Sequence, residues 1–337
     1  MKVYEIQDGF GLDHLRVAER PDPTPGHGQV MVSMRAVSLN YRDILTVTGL
    51  YNPRQGLPLV PCSDGVGEVV AVGEGVSRFK LGDRIAAVFC QRWIGGAPTY
   101  EKLRSTLGGP RDGTLAELML LDEDGAVLVP EHLSDEEAAT LPCAGLTAWS
   151  ALAEYGNVAP GDTVLVQGTG GVSIFALQFA QLLGAKVIVT SSSDDKLKRA
   201  RKLGAWHEIN YIDDSDWGKT ARELTDGVGV DHVLDVGGGR TLEQSLRAIR
   251  IGGEISLVGV LSGAAADLNL VPIFMKNVRI QGIVVGSRDG FEAMNRAVAM
   301  HEMRPVVDRI FPFAEAREAF EFVMNGAHFG KVCIAIE

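Results

Sequence analysis

Residues 163–190 constrain this chain more than any other stretch. An apolar run, TVLVQ (163–167), breaks at G-T-G-G-V-S (168–173), and the spacing then predicts a helix over 171–184 before a second apolar run, KVIVT (186–190). A strand, a glycine turn, a helix and a strand within about 30 residues fit a unit in which both strands run parallel and the helix crosses between them. The rhythm continues. Further strands are expected at 232–236, 254–259 and 278–285, with a short one near 207–209, and helices near 194–203, 216–226 and 240–250. Such alternation implies a parallel sheet with helices on both faces.

The flanking sequence has another character. Strand-like runs occur at QVMVSMRAVSL (29–39), GEVVAVGEGV (67–76) and LGDRIAAVF (81–89), and TLAELMLLDEDGAVLVP (114–130) gives two more around Asp124-Gly125. Short strands punctuated by glycine and proline suggest a β-barrel-like or sandwich unit. Residues 90–113 interrupt them with a polar, Gly/Pro-containing excursion, expected to be an exposed lobe or a lid. Helices at 290–301 and 314–325 and a last strand, KVCIAI (331–336), would complete the first domain. The expected organisation is α/β: a barrel-type domain over 1–144 and 287–337, with a doubly wound parallel-sheet domain inserted over 145–286.

Glycines between a strand and a helix let backbone N–H groups approach a pyrophosphate at the helix N-terminus. Gly168, Thr169, Gly170, Gly171 and Val172 are therefore assigned to a dinucleotide diphosphate, against the alternative of a plain structural turn. The usual third glycine is Ser173, still small enough for close helix–strand packing. The second strand should end beside the adenosine ribose, where an NAD site places a carboxylate. Here the run is Ser191, Ser192 and Ser193, with Lys196 one helical turn on. Hydroxyls can donate to a 2′-phosphate that a carboxylate would repel. NADP(H) is favoured and NAD(H) stays open, because the serines also read as a helix cap and Asp194-Asp195 as N-terminal helix charges.

Composition narrows the function classes. A net charge of −11 and a pI near 5.2 leave no basic stripe for nucleic acid. No uninterrupted apolar stretch is long enough to span a membrane, and MKVYEIQDGF lacks the apolar core of a secretory signal. Cys62, Cys90, Cys143 and Cys333 lie too far apart for a disulfide framework, so a cytoplasmic protein acting on a small molecule is expected.

The segments VSLNYRDILTVTGLY, DGVGEVVAVGEGVSRFKLGDR, LPCAGLTAW and HFGKVCIAI, together with the glycine turn, span essentially the whole chain. In them the chain resembles the medium-chain dehydrogenase/reductase superfamily, and within it the zinc-free quinone-oxidoreductase-like and alcohol-dehydrogenase-like branch. The resemblance implies a GroES-like catalytic domain around a Rossmann NADP(H)-binding domain. Many members hold a catalytic zinc through a Cys in the first segment, a Gly-His-Glu triplet before the second, and a later Cys or Asp. Here those positions read Asn40, Cys62-Ser63-Asp64 and Cys143, and residues 90–113 hold only Cys90 where some members carry four structural cysteines. No zinc is expected; the alternative is a makeshift site from Cys62, Asp64 and Cys143.

Without a Lewis acid, neutral hydrogen-bond donors must stabilise the oxyanion, which favours acceptors that spread the incoming electrons. The resemblance implies hydride transfer from NADPH to a quinone or an α,β-unsaturated carbonyl. An NADP-dependent alcohol or aldehyde dehydrogenase and a non-catalytic NADPH-binding sensor are the alternatives. By the same resemblance the nicotinamide lies in the cleft between the domains. Tyr51 would donate to the developing oxyanion, Asn40 would orient substrate or cofactor, and Tyr41 would line the pocket. Thr147 would lie near the nicotinamide, Lys196 and Tyr211 would hold the 2′-phosphate, and Lys331 would contact the diphosphate. Gly237, Val258, Gly259, Val260, Val284 and Val285 fall at strand ends, the usual ligand crevice of such sheets. Relatives pair through the last strand of this domain, so NVRIQGIVVG (277–286) suggests a homodimer.

Overall fold

The computed structural model describes residues 1–265 and 267–337. It divides into one unit of Met1–Leu146 with Val285–Glu337 and a second of Thr147–Val284. In chain order the strands are β1 (Lys2–Ile6), β2 (Leu15–Glu19), β3 (Gln29–Leu39), β4 (Asp64–Val72), β5 (Arg84–Ala87), β6 (Leu118–Asp122) and β7 (Ala126–Leu128) in the first unit. The second unit contains β8 (Thr163–Gln167), β9 (Lys186–Ser191), β10 (His207–Asn210), β11 (Val230–Asp235), β12 (Ile249–Leu257) and β13 (Arg279–Gly282). The first unit resumes with β14 (Val307–Pro312) and β15 (Lys331–Ala335).

The second unit is a six-stranded sheet, all parallel, in the order β10-β9-β8-β11-β12-β13. This is a doubly wound order, and its direction reverses between β8 and β11. Strands covered on both faces read as continuous apolar runs, and VLV in β8 and VIV in β9 are buried throughout. Leu165, Ile188, Val233 and Ile255 pack with Trp217 and Leu246 in one core cluster.

In the first unit the 11-residue β3 is the organising strand. It pairs antiparallel with β4, β6 and β15 in a seven-stranded sheet, and β14 alone runs parallel to its neighbour. The core beneath it gathers Val32, Val37, Leu39, Ile85, Leu121 and Phe320. The result is the expected α/β architecture with a GroES-like and a Rossmann-type unit.

Several elements depart from the sequence expectation. A helix, Tyr41–Val47, follows β3 directly, because Asn40 caps it and its backbone N–H donates to Asp43 Oδ2 at 2.9 Å. The strand expected over 278–285 is only Arg279–Gly282. Ile283 adds one more bond to Leu257, and Val285 then turns the chain at a φ of 53°. Helical turns over residues 141–155 and at Val271–Met275 were also not anticipated; Pro142 and Pro272 sit in first turns, where no N–H is needed. The 90–113 excursion is only partly exposed. Gln91, Trp93 and Leu107 are buried, and Arg42 anchors it by donating to Leu107 O at 2.7 Å and Gly109 O at 3.3 Å.

Candidate active site

In the second unit β8 ends at Gln167, and Gly168 takes a φ of 73° that a β-carbon would strain. Its N–H donates to Thr190 O at 2.7 Å, which ties the turn to β9. A β-carbon placed on Gly168 or Gly170 would meet nothing within 4 Å, so the turn stands open. Gly170 caps the 12-residue helix Gly171–Leu182, whose first N–H groups, including those of Gly171 and Val172, have no intrahelical acceptor. Thr169 is buried beside them. Ser173 does what the missing glycine would not: its hydroxyl donates to Gln167 O at 2.6 Å and locks helix to strand. This open, donor-rich cradle fits a dinucleotide diphosphate.

The structure also brings the ribose-end residues together. Ser191 O accepts from Tyr211 N at 3.1 Å, and Ser191 Oγ accepts from Ser193 N at 3.3 Å. Ser193 Oγ accepts from Lys196 N at 3.4 Å, so Ser193 serves as the cap of Asp194–Lys202. Ser192 and the Tyr211 side chain are exposed. Two hydroxyl groups and the Lys196 helix turn therefore border one patch at the ends of β9 and β10.

At the end of β11 the decisive residue was not foreseen. Asp235, fully buried, accepts at Oδ1 from Gly237 N, Gly238 N and Thr241 Oγ1 at 2.7–3.0 Å, and at Oδ2 from Ser245 Oγ at 2.6 Å. A carboxylate closing a strand just before three glycines was the available signal. It braces Gly237, while Val258 N reaches back to Asp235 O at 2.9 Å. A β-carbon on Gly259 would lie 2.7 Å from Val236 O, so only glycine permits that approach. Val260 and Val284 are exposed, Thr147 is buried in the helical turn Leu146–Trp149, and Val285 is buried in the first unit.

The first unit holds a dense polar core. Asn40, Arg42, Asp43, Ser63, Asp64 and Lys331 are all buried. Lys331 Nζ donates to Leu39 O at 2.5 Å and to Asn40 Oδ1 at 2.6 Å. Asn40 Nδ2 lies 3.5 Å from Ser63 Oγ, Ser63 Oγ donates to Asp64 Oδ1 at 2.7 Å, and Asp64 Oδ2 accepts from Cys143 N at 3.1 Å. Burial pushes the Asp64 carboxyl above its ordinary pKa, and the Lys331 charge is the strongest opposing influence. Burial likewise raises Asp43 to about 6 against the pull of Arg42, and raises the Cys143 thiol well above its usual range. Lys331, the residue expected at the diphosphate, is only 3% exposed, and its ammonium donates to Leu39 and Asn40 inside its own unit. Tyr41 and Tyr51 are half-exposed, at 50% and 53%, and among the described residues neither hydroxyl has a hydrogen-bond partner. The Arg42 guanidinium sits 5.0 Å from the Tyr51 ring centroid and steadies it. Tyr41 is thus not a core aromatic; it opens a helix.

Residues 26–131 match the family described as alcohol dehydrogenase GroES-like domain, and residues 171–300 that described as zinc-binding dehydrogenase. A zinc-type alcohol dehydrogenase-like protein of Schizosaccharomyces pombe is 44% identical over 99% of both chains. A solved NAD-dependent alcohol dehydrogenase superposes with a TM-score of 0.92 at 35% identity over 100% of both chains. The quinone oxidoreductase from Coxiella burnetii gives 0.82 at 27% identity, over 100% of this chain and 99% of that one. The chain belongs to the medium-chain dehydrogenase/reductase superfamily.

As a member of this superfamily it is an NAD(P)-linked oxidoreductase, and one family description names zinc. The residues here do not fit that ion. Zinc takes thiolate, imidazole and carboxylate ligands, whereas this position offers an amide, a hydroxyl, one carboxylate and a single thiol, with no imidazole. Cys62, Asp64 and Cys143 do not assemble into a ligand cluster among the described residues. The Lys331 ammonium also already lies against Asn40. At an effective dielectric of about 20, a divalent ion roughly 4 Å from it would be repelled by roughly 8 kcal/mol.

Proposed function

We propose that this superfamily member is an NADPH-dependent reductase that delivers hydride to a quinone or an α,β-unsaturated carbonyl without zinc. The observation that carries the reading is the buried Lys331–Asn40 contact at the position where zinc-dependent members place ligands. With no Lewis acid, full charge on an isolated carbonyl oxygen is hard to support, and conjugated acceptors need less. Bound NADPH would supply the hydride. The Gly168–Val172 turn would hold the diphosphate through backbone N–H groups, and Ser192, Lys196 and Tyr211 would take the 2′-phosphate. Asn40 would donate its amide N–H, and Tyr51 its hydroxyl, to the acceptor's oxygen; Tyr41 would border the acceptor.

A second reading, dehydrogenation of a simple alcohol, is favoured by the names of the two most similar proteins given above. Steady-state oxidation of NADPH and NADH with a quinone, an enone and an aldehyde separates the two. The reductase reading expects NADPH to be preferred and the aldehyde to be the poorest acceptor. Alcohol-driven reduction of NAD would sink it.

No helix among the described residues is long and apolar enough to cross a membrane. A cytoplasmic homodimer remains the proposed state. In its support, β13 is the last strand of its sheet, and Leu270, Val271, Phe274, Met275 and Val284 near it in sequence are exposed.

A further inference from the structure

Lys331 opens β15 and points its ammonium at the end of β3, where Leu39 O and Asn40 Oδ1 accept from it. An amide oxygen held by an ammonium fixes which way the amide faces, because the NH2 end gains nothing by turning toward a cation. Asn40 Nδ2 therefore faces Ser63 Oγ, and Ser63 has already given its own hydrogen to Asp64. Nδ2 meets Ser63 Oγ, and the Asp64 carboxylate also accepts from the Asn40 side chain. The cation on one side and the Asp64 carboxylate on the other keep the Asn40–Ser63 relay aligned.

We infer that Lys331 is the resident cation of this site. It closes the position to a divalent metal, and by gripping Asn40 Oδ1 it fixes the face on which the Asn40 N–H groups meet Ser63, Asp64 and the acceptor's oxygen. Lys331 is thus a positioning residue and Asn40 the group that touches substrate; this second half rests on the reductase reading above.

The test uses the full-length protein and the variants Lys331→Met, Asn40→Asp and Asn40→Ala. Zinc content is measured after equilibration with equimolar zinc and gel filtration. Melting temperature, the NADPH dissociation constant and the kcat and KM for a quinone complete the set. Wild type should retain no stoichiometric zinc; one tightly held zinc per chain overturns the inference. Lys331→Met should lower kcat by about tenfold to a hundredfold while NADPH affinity stays within about twofold. Weakened NADPH binding at unchanged kcat would overturn it, because the ammonium would then serve the dinucleotide.

If Lys331→Met does not fold, Asn40→Asp decides. A carboxylate still accepts from the ammonium but offers no N–H, so this variant should melt above Asn40→Ala and still lose at least about tenfold in kcat. Retained kcat, or equal melting of the two variants, would overturn the inference. If wild type turns over no acceptor, the reductase reading fails, while zinc content and the melting comparison still judge Lys331 by themselves.

Discussion

His232 shows how one buried side chain sets a pH limit. It sits in β11 at 2% exposure, with Nε2 3.0 Å from Ser256 Oγ on β12 and Gly156 packed against its ring. Burial lowers its pKa from 6.5 to about 4; the Arg279 charge adds to this and Asp231 opposes it. The fold therefore prefers the neutral ring. That preference stabilises the protein fully above pH 6.5, and it is lost as the pH falls from 6.5 toward 4, because the unfolded chain takes up the proton first. Between pH 7 and pH 4 this residue should remove about 3 kcal/mol of stability. Denaturant melts of wild type and His232→Gln across that range check it. The loss should be smaller in the variant by about that amount, and parallel curves would show that the ring does not titrate this way.

At the scale of elements, the β9 terminus offers the sharpest cofactor test. Ser192 is the exposed member of the serine run, beside the Lys196 turn and Tyr211. Ser192→Asp places a carboxylate where a 2′-phosphate would lie, so kcat/KM for NADPH should fall at least about tenfold while that for NADH holds or rises. An unchanged NADPH preference would move the phosphate site elsewhere. The elements themselves were legible to different degrees. The Gln29–Leu39 strand and the Thr163–Gln167 strand were readable to the residue, because alternation and a continuous apolar run are local signals. The Tyr41–Val47 helix was hidden in two turns of sequence whose only mark is the Asn40–Asp43 cap. The β13 strand was overestimated, because apolar valines continue past the point where Val285 turns the chain. At the site, the glycine turn announces itself through its flanking strand and helix. Lys331 does not, because nothing near it in sequence reveals Asn40, 291 residues away, as its partner. Asp235 was missed for a related reason: its acceptor role depends on a turn that it itself organises.

At the scale of the whole molecule, two physical proposals remain. The exposed apolar residues around Phe274 and the free side of β13 should pair with a second copy. Light scattering should give twice the 36.1 kDa chain mass, and Phe274→Asp should shift it to the monomer; a wild-type monomer at micromolar concentration would rule the dimer out. The larger proposal is that a superfamily with zinc-dependent members has here a catalytic unit built on hydroxyl, amide and ammonium groups. The most direct test is the rate of NADPH oxidation with a quinone or an enone, measured on protein stripped with a chelator and verified metal-free. This account predicts the full rate from the stripped protein and no gain on adding zinc. Activity that vanishes on stripping and returns with one equivalent of zinc would contradict it.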